Sequence, residues 1–128
     1  MTSSVFYVTF DCANPRGLAT FWATALSYEI YAPNESAGEV LLHDPTGAGP
    51  PLGFMKVPES KVVKNRVHLD LRPDSSLEVE VERLTVAGAR PLRTLQDPES
   101  FVDPVRWTVM QDPEGNEFCV IEEVSKRT

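Results

Sequence analysis

Two short turns written almost alike limit what this chain can fold into. "DPTG" at residues 44–47 follows the strand-like run "EVLLH", and "DPEG" at 112–115 follows "WTVMQ". In each, Pro fixes φ and Gly tolerates a positive φ, which is the chemistry of a tight turn. If the two turns mark the same point of a repeated unit, the residues upstream of them must also correspond.

They do. "VFYVTFDC" alternates, with Phe6, Val8, Phe10 and Cys12 on one face and Tyr7, Thr9 and Asp11 on the other, the period of a half-buried strand. "NPRGLATFWATAL" then offers Asn14 as an N-cap, Pro15 as the first helical residue, and Leu18, Phe21, Trp22, Ala25 and Leu26 as one apolar stripe. In the second half, "RVHLDLR" sets Val67, Leu69 and Leu71 opposite His68 and Asp70. Ser75 and Glu78 follow at capping-box spacing, Leu77, Val81 and Leu84 make a stripe, and Gly88 is a natural stop. Strand-like runs complete each half: "SYEIYA", "EVLLH" and "PLGFMKV", then "ARPLRTL", "PVRWTVM" and "NEFCVIEEV". Both halves therefore read strand, helix, strand, strand, strand. They cover residues 5–57 and 65–124, joined by a polar connector at 58–64.

A chain of 128 residues has material for one well-buried core and too little for two ordinary domains, so a single domain, 1–128, is expected. The 19 acidic against 12 basic residues leave a net charge of −7, which opposes nucleic-acid phosphates and anionic membranes. No run approaches the roughly 18 apolar residues of a membrane span, and "MTSSVFYVTF" lacks the basic and apolar regions of a signal peptide. A cytoplasmic protein with a small-molecule ligand is the expectation; the acidic balance either serves solubility alone, the reading it favours, or makes a cationic ligand the more natural one. Cys12 and Cys119 each fall within an apolar alternating stretch, as reduced buried thiols do, so no disulfide is expected.

The segments "VTFDCANP", "KNRVHLDL" and "WTVMQDPEGNEFCV" carry a resemblance to the vicinal oxygen chelate superfamily, which includes glyoxalase I, extradiol dioxygenases, fosfomycin-resistance enzymes and bleomycin-resistance proteins. The resemblance implies an α+β fold of two βαβββ modules whose curved mixed sheets surround a cleft, and a homodimer. In the metal-dependent members, four inward side chains, usually His, Gln or Glu, come from the first and last strands of each module and hold a divalent ion. Carried onto this chain, those positions fall on Tyr7, Phe54, His68 and Cys119, and only His68 is a conventional ligand. Hard ions want oxygen donors, which Phe54 cannot supply; zinc could accept His68 and Cys119, but Tyr is a poor third ligand and no fourth is evident. No metal and no other cofactor is therefore expected.

The remaining lining is Tyr7, Thr9, Phe54, His68, Asp70, Trp107 and Cys119, an aromatic cleft with few polar groups that suits a planar or apolar ligand. His68 faces away from the helix layer, where it is either a general base or ligand partner, or a histidine held by structural hydrogen bonds. Asp70 shares its face at a Cα separation of roughly 6.5–7 Å, wide for a direct hydrogen bond, and competes as a salt-bridge partner of Arg66, Arg72 or another basic residue. Trp107 either lines or plugs the cleft. His43, at a strand end, is expected to be solvent-exposed, and "EVEVE" at 78–82 to be the solvated face of a helix. No nucleophilic triad and no phosphate-binding glycine loop is legible. Two functions remain. One is a glyoxalase-like protein binding a small organic molecule without the usual metal-ligand set. The alternative is a lyase or isomerase with His68 as general base and Asp70 tuning it, with or without a divalent metal. Whether the protein is an enzyme is left open.

Overall fold

Asn14 and Pro15 start a helix in the way their chemistry requires. In the computed structural model, which describes residues 1–97 and 105–123, the Asn14 side chain accepts a hydrogen bond from the Gly17 amide at 3.1 Å. Pro15, lacking an N–H, takes the position where none is needed. Helix α1 runs Pro15–Leu26 and buries Leu18, Ala19, Phe21, Trp22 and Ala25. It ends where Ser27 turns left-handed at φ 58°.

The chain divides into two units, Met1–Val62 and Val63–Thr128. The first contains β1 (Val8–Cys12), α1, β2 (Glu29–Asn34), one 3-10 turn (Glu35–Ala37), β3 (Glu39–His43) and β4 (Leu52–Lys56). Its sheet order is β1-β4-β3-β2, with β1 and β4 parallel and the other pairs antiparallel. Alternation decides which side chains meet α1: Val40, Leu42, Leu52 and Phe54 are buried. Phe10 lies 5.6 Å from the Trp22 ring and stacks on Phe54 at 5.2 Å.

The second unit repeats that plan with β5 (Asp70–Leu71), α2 (Leu77–Ala87), β6 (Arg90–Asp97), β7 (Val105–Gln111) and β8 (Glu117–Glu123), in the order β5-β8-β7-β6. Again the first and last strands pair in parallel. Leu77 and Leu84 of α2 are buried with Met110, Phe118 and Val120 of the sheet. Arg106 on β7 binds Glu78 of α2 and Glu122 of β8, while Glu122 also accepts from the Leu77 amide at 3.3 Å, tying the start of α2 to the sheet.

The two turns are built alike. Asp44 accepts from the amide and hydroxyl of Thr46 at 2.8 Å each and from the Gly49 amide at 2.7 Å, bonds that hold its carboxyl below the usual range. Asp112 accepts from the amides of Glu114 and Asn116 at 2.9 Å each and from the Asn116 carboxamide. Gly47 and Gly115 close the turns at φ 76° and 85°, where any side chain would be strained.

Four expectations need correction. The strand expected over "RVHLDLR" is only Asp70–Leu71, and Val67 is 77% exposed instead of packed beneath a helix. Helix α2 is capped by Ser76, whose hydroxyl accepts from the Val79 amide at 3.2 Å, so Ser75 and Glu78 form no capping box. Glu80, in the run assigned to solvent, is buried and paired with Arg83 at 2.8 Å. His43 is half-buried and hydrogen-bonded to the Tyr7 hydroxyl. Both cysteines are buried free thiols, as expected. Val124, the expected end of the second module, lies outside the described residues. Among the described residues, no helix is long and apolar enough to cross a membrane.

Candidate functional site

Once Thr108, Met110, Phe118 and Val120 are committed to the core of the second unit, period-2 alternation sends their neighbours to the opposite face. On β7 these are Val105, Trp107 and Val109; on β8 they are Glu117, Cys119 and Ile121. Register then aligns them across strands. Asp70 pairs with Cys119, Cys119 with Val109, and Val109 with Arg93, so one row crosses the sheet from an acid at β5 to a base at β6. Lys64 and His68, from the segment leading into β5, complete a concavity of about 420 Å³ over this face.

Its chemistry is concentrated at the β5 end. His68 Nδ1 lies 3.1 Å from Asp70 Oδ1, with the two side chains 41% and 50% exposed, so the pair is in direct contact yet open to a ligand. The strand-rise argument against contact fails because His68 precedes the two-residue strand and is free of its pleat. The basic partner of Asp70 is His68, while Arg72, one of the named candidates, lies 3.8 Å from Glu123. Burial, and next the charge of Asp70, push the Cys119 thiol up, while Lys64 and Arg93 pull it down less strongly. Cys119 is thus a neutral thiol near pH 7 and a poor nucleophile. Glu117 accepts from the Asn65 amide at 2.9 Å. The acids Asp70 and Glu117 are therefore both engaged, whereas the side chains of Lys64 and Arg93 make no hydrogen bond or ion pair among the described residues.

The structure thus brings together His68, Asp70, Trp107 and Cys119 of the expected set. Tyr7 and Thr9 lie on the helix-free face of the first unit's sheet, where the Tyr7 hydroxyl binds His43 and Thr9 pairs with Gly53. Phe54 does not line a cleft: it is fully buried against Phe10 in the core beneath α1. The β4 residues that share the face of Thr9 are Gly53, which has no side chain, and Met55, so shifting the count by one in either direction supplies no oxygen or nitrogen donor. Sequence reasoning missed Lys64, Arg93 and Glu117. Counting two residues back from Cys119 reaches Glu117, but Arg93 becomes visible only through the β6–β7 register.

The residues do not reproduce the four-ligand His, Gln or Glu set expected of the metal-dependent members. Candidate ligand atoms of His68, Asp70 and Cys119 lie within 4.8 Å of one another, but they form a mixed nitrogen, oxygen and sulfur set. Such a set suits zinc rather than magnesium or manganese. The expected fourth position is filled by core phenylalanine.

A family model described as a glyoxalase-like domain matches residues 7–121. The chain belongs to the glyoxalase-like family, and its α+β fold of two βαβββ-like modules is that of the vicinal oxygen chelate superfamily. Similar structures include a glyoxalase/bleomycin resistance/dioxygenase family enzyme from Burkholderia phytofirmans PsJN, 16% identical with a TM-score of 0.73, covering 95% of this chain and 100% of that one. A mutant of the fosfomycin resistance protein FosX from Listeria monocytogenes, complexed with Mn(II) and a dihydroxypropylphosphonic acid, is 16% identical with a TM-score of 0.73 over 94% and 90%. An integron cassette protein from V. cholerae is 14% identical with a TM-score of 0.64 over 95% and 96%. No curated protein matches in sequence.

Proposed function

We propose that the protein binds a small organic molecule on the helix-free sheet face of its second unit, without the divalent ion of its metal-dependent relatives. The observation that carries this reading is the concavity itself, with Trp107, Val105, Val109 and Ile121 as an apolar floor and His68 and Asp70 at one edge. A planar ligand gains dispersion and apolar burial against the indole, and the polar edge fixes its orientation. The homodimeric part of the reading rests on the family resemblance.

The test is a titration with naphthamide, followed through backbone amide resonances of β7 and β8. Trp107→Ala is expected to weaken binding by roughly tenfold, as truncation of a central aromatic anchor does. His68→Ala should weaken it less and leave the melting temperature unchanged. If His68→Ala instead lowers stability and binds normally, His68 is structural and this assignment is wrong.

A second reading, a lyase or isomerase, is favoured by the His68–Asp70 contact. A carboxylate on Nδ1 orients the ring and leaves Nε2 for a proton on a bound substrate. Metal content separates this metal-free chemistry from the zinc variant. Protein purified without a histidine tag is expected to carry far less than one equivalent of zinc, nickel or iron by elemental analysis. A stoichiometric amount would reassign His68, Asp70 and Cys119 as ligands.

A further inference from the structure

We infer that the ligand of the second unit's concavity carries an anionic group, a carboxylate or one of like charge, held by Arg93 and Lys64. The inference rests on the proposed binding face and adds the charge class of its occupant. With 19 acids against 12 bases, the composition favours a cationic ligand, but the local arrangement reverses that preference. Of the charged groups around the concavity, Asp70 is held by His68 and Glu117 by Asn65, so both negative charges already have partners. The side chains of Arg93 and Lys64 have none among the described residues. Both also act on the Cys119 sulfur, drawing it toward the thiolate, which places their charges at the same floor.

The row Asp70–Cys119–Val109–Arg93 gives the geometry. A flat molecule lying on Val109 and Trp107 has the His68–Asp70 pair at one end and the Arg93 guanidinium at the other. A guanidinium presents paired N–H donors that match a carboxylate, and the Lys64 ammonium adds a point charge. In an otherwise acidic protein, two cations with no side-chain partner among the described residues, set over an apolar floor, discriminate by charge more than by shape.

The experiment compares three probes of nearly one shape: naphthoate, naphthamide and naphthylmethylammonium, each titrated by calorimetry and by amide shifts on β7 and β8. Naphthoate is expected to bind at least roughly tenfold more tightly than naphthamide, with naphthylmethylammonium weakest. Arg93→Gln should remove most of that preference and Lys64→Gln part of it, with naphthoate binding falling much more than naphthamide binding in each. Arg93→Glu should turn the preference toward naphthylmethylammonium, a change that loss of structure would not produce. Equal binding of naphthoate and naphthamide, or an Arg93→Gln variant with the wild-type preference, would overturn the anion assignment while leaving the binding face intact. If none of the three shifts β7 or β8 resonances, the binding face itself fails, and this inference with it.

Discussion

Phe54→Ala is expected to cost about 3–5 kcal/mol of folding stability, the usual result of emptying a fully buried phenylalanine site. Phe54 has no exposed surface, stacks on Phe10 at 5.2 Å, and shares its core with Leu52, Val40 and Trp22. Neighbours held in a sheet and a helix collapse poorly into the void, which puts the cost toward the upper part of that range. Urea denaturation reads it directly. The result also decides between two placements of this residue, because a wall residue of an open cleft would affect ligand affinity and leave the urea midpoint near wild type. That outcome would restore the cleft assignment made from sequence.

The second large effect is expected at Asp112. The residue is 4% exposed, and its carboxylate satisfies two backbone amides and the Asn116 carboxamide. Asp112→Ala leaves those donors without partners in a partly buried turn, at about 2–4 kcal/mol for the group of them. Asp112→Asn keeps acceptor oxygen and should cost less. Because this turn joins β7 to β8, which carry Trp107 and Cys119, the Ala variant should also broaden the amide resonances of the site. A wild-type melting curve for Asp112→Ala would mean that strand pairing alone sets the hairpin. Asp44→Ala, in the more open turn of the first unit, should have a smaller effect in the same direction.

What could be read from the letters follows from which forces are local. Asn14, Pro15 and the stripe through Trp22 act within a few residues of one another, and α1 forms as they dictate. The repeated Asp-Pro-x-Gly turns are local too, and they gave the doubled plan. Pairing is not local. "RVHLDLR" alternates like a long strand, yet pairing with β8 is confined to Asp70 and Leu71 and the Leu69 carbonyl before them, and Val67 stays in solvent. Phe54 shows how little error a strand tolerates. A count uncertain by one residue exchanges the two faces, so a residue assigned to a ligand wall belongs to the core. At the site, His68, Asp70, Trp107 and Cys119 were found by alternation, whereas Arg93 and Lys64 were not. Their relevance depends on which charges already have partners, and that is settled by three-dimensional neighbours such as Asn65.

The parallel pairing of first and last strands has a consequence for how the protein is made. Asp70 and Cys119 are adjacent in space, but β8 is the last described strand to leave a ribosome, and it sits between β5 and β7. Until it arrives, β5 has no neighbour, and His68 and Asp70 hang on an unpaired segment. The first unit closes earlier, when β4 slots between β1 and β3. Synthesis therefore runs for half its course with one sheet complete and the ligand face absent. A chain stopped before Cys119 would carry most of the residues named here and none of the site.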